Sequence, residues 1–326
     1  MKILPPTPEI RLMPLSEIQE DRDVALIYSR AAWESVQDYL HLPVVWKREV
    51  NSAREADWQE ILHEIQGEVI YAVGGGLAVD VAKFLAAKKD AHLVCIPTCL
   101  SVDAFFTSAS GVRQANCVRY LQTKPPNCVV VDFDILSTAP RSVQATGICD
   151  VLSIATGCWD WKYAENLGKN PPNMKFASWA YQAAQAILEG ALNCAESAGR
   201  GDHQGLKQLL DCLLMEVQLC NLIGHARPEE GSEHYFAYAA ENHLSSAVPH
   251  GDLVGPGIQL MARIQGQEAP QIEKALVDCG VPLDNISKDI IAATLRELPT
   301  YCRHHNLPHG IAHDLTEEMT GKIIPL

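Results

Sequence analysis

The chain has 326 residues, 47% apolar and 20% charged, which gives room for two domains and a sizeable core and excludes a disordered or fibrous chain. Forty acids against 26 bases leave a formal charge of −14, so general nucleic-acid binding is excluded by repulsion from a phosphate backbone. No apolar run approaches the roughly 20 residues of a membrane span, the proline-broken start MKILPPTPEIRLMPL makes a poor signal peptide, and eleven cysteines without a CxxC pair suit buried thiols of a cytoplasmic globule.

The first 140 residues alternate short β-rich runs with longer amphipathic ones. Strands are predicted at Val24–Tyr28, Val44–Trp46, Val69–Val73, Leu93–Ile96 and Val129–Asp132, and helices at Ala31–Leu40, Ala53–Ile65 and Leu77–Lys88. Nearly continuous apolar strands separated by helices predict a parallel sheet with both faces covered. Beyond Pro140 the pattern turns helical: Val151–Glu165, Met174–Ala198, Gly205–His225, Glu233–Leu244 and Asp252–Gln265, then the weaker Pro270–Cys279 and Asp289–Leu298. Leu206, Leu209, Leu210, Leu213, Leu214 and Val217 form the clearest helical stripe. The predicted organisation is an α/β nucleotide-type domain over residues 1–140 and an all-helical domain over 141–326, with the site expected in the cleft between them.

The strand Val69–Val73 runs into Gly74-Gly75-Gly76 and then Leu77-Ala78-Val79-Asp80. Such a turn lets a ligand approach the backbone, and the following helix start offers free N–H groups to a pyrophosphate. A glycine triplet alone is equally a tight strand-to-helix turn. The next strand ends in a stretch carrying Thr98, Ser101, Asp103 and Thr107, polar groups on the same sheet edge that suit phosphate, ribose or a polyol. The adjacent Phe105 and Phe106 are read as core.

GGGLAVDVAK, PTCLSVDAF, GICDVLS, GSEH and PHGD follow one another in this order between residues 68 and 265. Together they resemble the iron-containing alcohol dehydrogenase superfamily, and more closely its glycerol-1-phosphate dehydrogenase and glycerol dehydrogenase branch. The resemblance implies Asp150, His234 and His250 as ligands of one divalent metal, zinc first, or iron or nickel. Two imidazoles and a carboxylate leave room for substrate oxygens, as a catalytic rather than a closed structural site requires. It also implies that Gly75, Gly76, Leu77, Asp80, Thr98, Ser101 and Thr107 contact the dinucleotide, and that Asp103 acts with the metal ligands in catalysis by holding a substrate hydroxyl. Lys83 is left to helix packing and a salt bridge.

Where glycerol-phosphate enzymes of this kind carry a second histidine one turn after the first, this chain has Tyr238, a hydrogen-bonding group on the substrate side that cannot become cationic. The first strand ends in Tyr28-Ser29-Arg30 with no acid at its tip, so NADP is as acceptable as NAD. The activity implied is a metal-dependent NAD(P)-linked interconversion of a small polyol, or its phosphate, and the matching ketone, by a homo-oligomer. A sugar-phosphate cyclase of the 3-dehydroquinate synthase type is the alternative; it typically uses a glutamate ligand and several bases, whereas Gly147–Trp159 here contains no base. A non-catalytic dinucleotide-binding protein is the third reading. His225 and His243 are read as structural or solvated, and the group His304, His305, His309 and His313 as surface or interface.

Overall fold

The computed structural model describes residues 4–245 and 248–321. Six parallel strands form the main sheet: β1 (Glu9–Leu12), β2 (Val24–Tyr28), β3 (Val44–Glu49), β4 (Val69–Val73), β5 (His92–Ile96) and, after a hairpin of β6 (Ala109–Gln114) and β7 (Cys117–Gln122), β8 (Cys128–Val131). Their order is β1-β8-β5-β4-β2-β3. Every residue of β4 is buried, as a strand covered on both faces requires. The covering helices are α1 (Arg30–Val36), α2 (Glu55–Glu64) and α3 (Gly76–Lys89). Trp58 of α2 packs against Phe84 of α3 at 5.6 Å, and Phe105 and Phe106 are buried in the same core, as expected.

The chain order reverses between β2 and β4, so the carboxyl ends Tyr28 and Val73 border a crevice where ligands of open α/β sheets bind. Gly74 stands there at φ 143°, and a Cβ on it would lie 2.7 Å from Ser29 Oγ. Only glycine meets both demands.

From Phe133 on, the described elements are helical: α4 (Phe133–Thr138), α5 (Arg141–Gln144), α6 (Ile148–Leu152), α7 (Ile154–Asn166), α8 (Ser178–Gly199), α9 (His203–Ile223), α10 (Ser232–Ala240), α11 (Gly251–Ile264), α12 (Pro270–Asp278), α13 (Lys288–His304) and α14 (Glu317–Gly321). α8 and α9 form an antiparallel pair joined by a short turn; Asp202 caps α9, accepting from Gln204 N–H at 2.9 Å. The leucine stripe of α9 is buried except for the partly exposed Leu214, with Leu206, Leu209 and Leu213 fully inside.

The structure departs from expectation in several places. β1 and the β6–β7 hairpin were not predicted, the helix expected from Val151 is two helices meeting at Ser153, and α13 runs six residues past Leu298. Of the histidines read as surface or interface, His305 and His313 are instead buried within the chain. Gly310 N–H donates to His313 Nδ1 at 3.3 Å, while His309 Nε2 meets Asp314 Oδ2 at 2.9 Å.

Candidate metal and dinucleotide site

Three segments that the sequence separates meet beside the carboxyl edge of the sheet. α6 presents Asp150, the first turn of α10 presents His234, and His250 stands at the entry to α11. One ligand atom of each lies within 4.8 Å of the others. His250 Nε2 is 3.2 Å from Asp150 Oδ1, and the two imidazole centroids are 5.4 Å apart. Asp150 Oδ2 accepts from the Asp103 backbone N–H at 2.9 Å, while Oδ1 is buried without a hydrogen-bond partner. A buried carboxylate oxygen that makes no hydrogen bond and has an imidazole nitrogen 3.2 Å away is costly unless a cation joins the two. These residues fit a divalent metal.

Two buried acids outside the sequence-predicted set hold the histidines' surroundings in place. Glu233 Oε1 meets His234 Nδ1 at 3.0 Å and accepts from Gly231 N–H at 2.5 Å. A carboxylate on one ring nitrogen fixes the tautomer and leaves Nε2 for a metal. Burial pulls the His234 imidazole down, but Glu233, with Glu230 and Asp150 beyond it, outweighs this and carries it up to about 9. Asp160 of α7 organises the start of α10: its Oδ2 accepts from Ser232 N–H at 2.7 Å and from Ser232 Oγ, and its Oδ1 accepts from Ile311 N–H at 2.9 Å. A Cβ on Gly310 would collide with this carboxylate, so the chain passes there only as glycine.

The cavity at this point, about 60 Å³, is lined by Asp103, Tyr120, Asp150, Glu229, Glu230, His234 and His250. Burial, reinforced by Asp150, pushes the Asp103 carboxyl up to about 7. Glu229 is raised as well, by burial and then by Asp103. Tyr238 is buried one step back: its Oη donates to Glu230 Oε1 at 2.8 Å and lies 3.0 Å from Tyr120 Oη. Sequence reasoning missed Glu229, Glu230 and Tyr120. The acid pair directly before GSEH was a visible signal, whereas Tyr120 lies in an unpredicted strand.

On the sheet side, Gly75, Gly76 and Leu77 sit at the start of α3, above the crevice, with Thr98 and Ser101 in the loop after β5. Asp80 and Thr107 are engaged by the chain itself. The fully buried Lys83 Nζ lies 3.0 Å from Asp80 Oδ1 and donates to Thr107 Oγ1 at 2.8 Å and Ala104 O at 2.9 Å, and also to Ala109 O. Asp80 Oδ2 also accepts from Gly111 N–H at 3.1 Å, seating the hairpin on α3. Beside Ser29, Arg30 forms a fork with Glu49 at the end of β3, Nη2 to Oε2 at 2.6 Å and Nε to Oε1 at 3.2 Å. An acid therefore stands one strand away from the tip where none was read.

A parallel sheet with a glycine turn at its reversal point is followed by helices that gather one acid and two histidines. Residues 16–140 match the iron-containing alcohol dehydrogenase family. The chain is 30% identical over 258 residues to a glycerol-1-phosphate dehydrogenase [NAD(P)+] of Sulfolobus acidocaldarius, covering 79% of this chain and 72% of that one. A Metallosphaera sedula relative of the same name is 30% identical over 241 residues, with 73% and 68% covered. The chain belongs to the iron-containing alcohol dehydrogenase family. Its fold matches that of a probable glycerol dehydrogenase from Sinorhizobium meliloti, with TM-score 0.71, 15% identity and 98% and 96% of the two chains covered. It also matches a sulfoacetaldehyde reductase from Bifidobacterium kashiwanohense in complex with NAD+, with TM-score 0.67, 17% identity and coverage of 100% and 98%. Among the described residues no helix is long and apolar enough to cross a membrane.

Proposed function

We propose that the chain is a metal-dependent, NAD(P)-linked oxidoreductase interconverting a small polyol, or its phosphate, and the corresponding ketone. Residues 1–140 take the dinucleotide and residues 141–326 the metal and substrate. The observation that carries this reading is the convergence of Asp150, His234 and His250 on one point, with Asp150 Oδ1 buried, without a hydrogen bond and 3.2 Å from His250 Nε2. Asp150, His234 and His250 would hold a metal that would supply polarisation of a substrate oxygen, and the glycine turn a nicotinamide dinucleotide that would supply hydride exchange, the net change being ketone, NAD(P)H and a proton against alcohol and NAD(P)+.

The protein's own groups have distinct parts. Asp150, His234 and His250 hold the cation, and Glu233 orients His234. Asp103 accepts a hydrogen bond from a substrate hydroxyl next to the reacting carbon, and Tyr238 fixes the Glu230 wall. The dinucleotide diphosphate rests on the N–H groups of Gly75, Gly76 and Leu77, with Thr98 and Ser101 beside it. The names of the relatives extend the substrate class to glycerol phosphate and admit either NAD or NADP. Zinc suits the two-imidazole, one-carboxylate set, as do iron and nickel.

The test is to load purified protein with zinc and follow reduced-nicotinamide absorbance with a panel of hydroxyketones. Substrate-dependent loss of absorbance is expected. Product formed without net nicotinamide turnover would instead establish a cyclase, and no reaction with any ketone would end the oxidoreductase reading.

A further inference from the structure

We infer that this site selects an unphosphorylated, uncharged polyol or hydroxyketone over its phosphate ester, and that Glu230 is the residue that enforces the choice. The inference rests on the oxidoreductase reading above and narrows it. Four carboxylates line the cavity, Asp103, Asp150, Glu229 and Glu230, and no described lysine or arginine does. The basic side chains on the surrounding elements are spent elsewhere. Lys83 is enclosed by Asp80, Thr107 and two carbonyls. Arg113 pairs with Glu241 at 2.7 Å, Arg119 donates to His305 O at 3.1 Å, and Arg227 donates to His309 O at 2.7 Å.

Glu230 is held in place rather than merely nearby. Tyr238 Oη donates to its Oε1, and Tyr120 Oη closes the chain of contacts at the cavity rim. Among the described residues no hydrogen bond engages the other Glu230 oxygen, which is left to accept from a substrate hydroxyl. A polyol supplies donors that suit such a wall. A phosphate dianion supplies only acceptors and adds charge of the same sign. A divalent cation at Asp150, His234 and His250 would be spent on the Asp150 side of the cavity and would leave the Glu230 carboxylate facing the ester.

The experiment compares kcat/KM for dihydroxyacetone and dihydroxyacetone phosphate with zinc-loaded full-length protein, wild type and Glu230→Gln. The wild type is expected to favour the free ketone by roughly tenfold or more. Glu230→Gln keeps an acceptor for Tyr238 but removes the charge, so it narrows that ratio mainly by raising the phosphate's kcat/KM. Should that variant fail to fold, inhibition of the wild type by glycerol 1-phosphate reads the same property: weak competition against the free ketone is expected, and tight competition overturns the inference. A wild type that prefers the phosphate, or a ratio unmoved in Glu230→Gln, overturns it while leaving the oxidoreductase reading intact. Protein that binds zinc and dinucleotide yet reduces neither ketone overturns both.

Discussion

The backbone N–H of Asp103 donates to Asp150 Oδ2 at 2.9 Å, so the loop after β5 and the helix carrying the candidate acid ligand are set by one hydrogen bond. Two further backbone bonds support it: Leu100 N–H to Gln144 O at 2.9 Å and Gly147 N–H to Leu100 O at 2.8 Å. The contact uses the Asp103 main chain and not its carboxyl group, which lines the cavity. Orientation of Asp150 and presentation of Asp103 are therefore separable by mutation.

Replacing Asp103 by asparagine preserves the backbone donor and removes only the charge. Turnover is expected to fall by about 10²-fold or more, with bound metal nearly unchanged. Elemental analysis alongside steady-state rates checks this; a parallel loss of metal would place Asp103 in the coordination sphere.

His250→Ala is expected to lose metal and turnover together while keeping its circular dichroism and cooperative unfolding. His250 is half-buried at a helix entry, outside the apolar core. A variant that stays metal-replete and active would refute the ligand assignment.

Lys83→Met should destabilise the chain by roughly 3–5 kcal/mol, since it leaves the Asp80 carboxylate without its buried partner. Adding Asp80→Asn should recover part of the loss, because the stranded charge is then gone. Urea unfolding of the two variants checks the order; equal midpoints for Lys83→Met and wild type would mean the pair contributes nothing.

Arg30 is tied to Glu49 at the sheet edge where an adenosine ribose would lie. Glu49→Gln releases the guanidinium to meet a 2′-phosphate, so the NADPH-to-NADH ratio of kcat/KM is expected to rise several-fold. A ratio that does not change would place the adenosine ribose away from this pair.

The buried His313 should make the fold acid-sensitive. Burial, with His309 beside it, pulls this imidazole down to about 4. Its folded value lies below its unfolded one, so the associated stability is present above about pH 6.5 and is lost as pH falls toward 4. Asp160, raised by burial and Glu233 to about 6, acts in the opposite sense across the same range. His313→Gln retains an acceptor for Gly310 N–H and is expected to lose less stability between pH 7 and 4.5. Urea midpoints at the two pH values decide it; identical slopes would show that His313 does not titrate with unfolding.

Much of this was legible in the chain. Continuous apolar strands announced the parallel sheet, and ordered motifs singled out Asp150, His234 and His250 before folding brought them together. The hairpin was not legible for a physical reason. ASGVRQ and CVRYLQ carry no continuous apolar run, and their turn uses Ala115 and Asn116 at φ 51° and 60°, positions where glycine is the usual signal. β1 escaped because EIRL is a short edge strand that buries almost nothing. The roles of Asp160, Glu230 and Glu233 depend on contacts between distant segments, which one-dimensional pattern does not report.

The hairpin is fixed at both ends. Its base is seated on α3 through Asp80, while the Asn116 carbonyl at its tip accepts from Asn242 Nδ2 and Tyr301 Oη, each at 2.9 Å. It therefore works as a strut and not as a flap. Any movement of α13 away from α3 has to rupture the tip or shear the base, so on this side the crevice is braced, and opening must begin at the opposite rim.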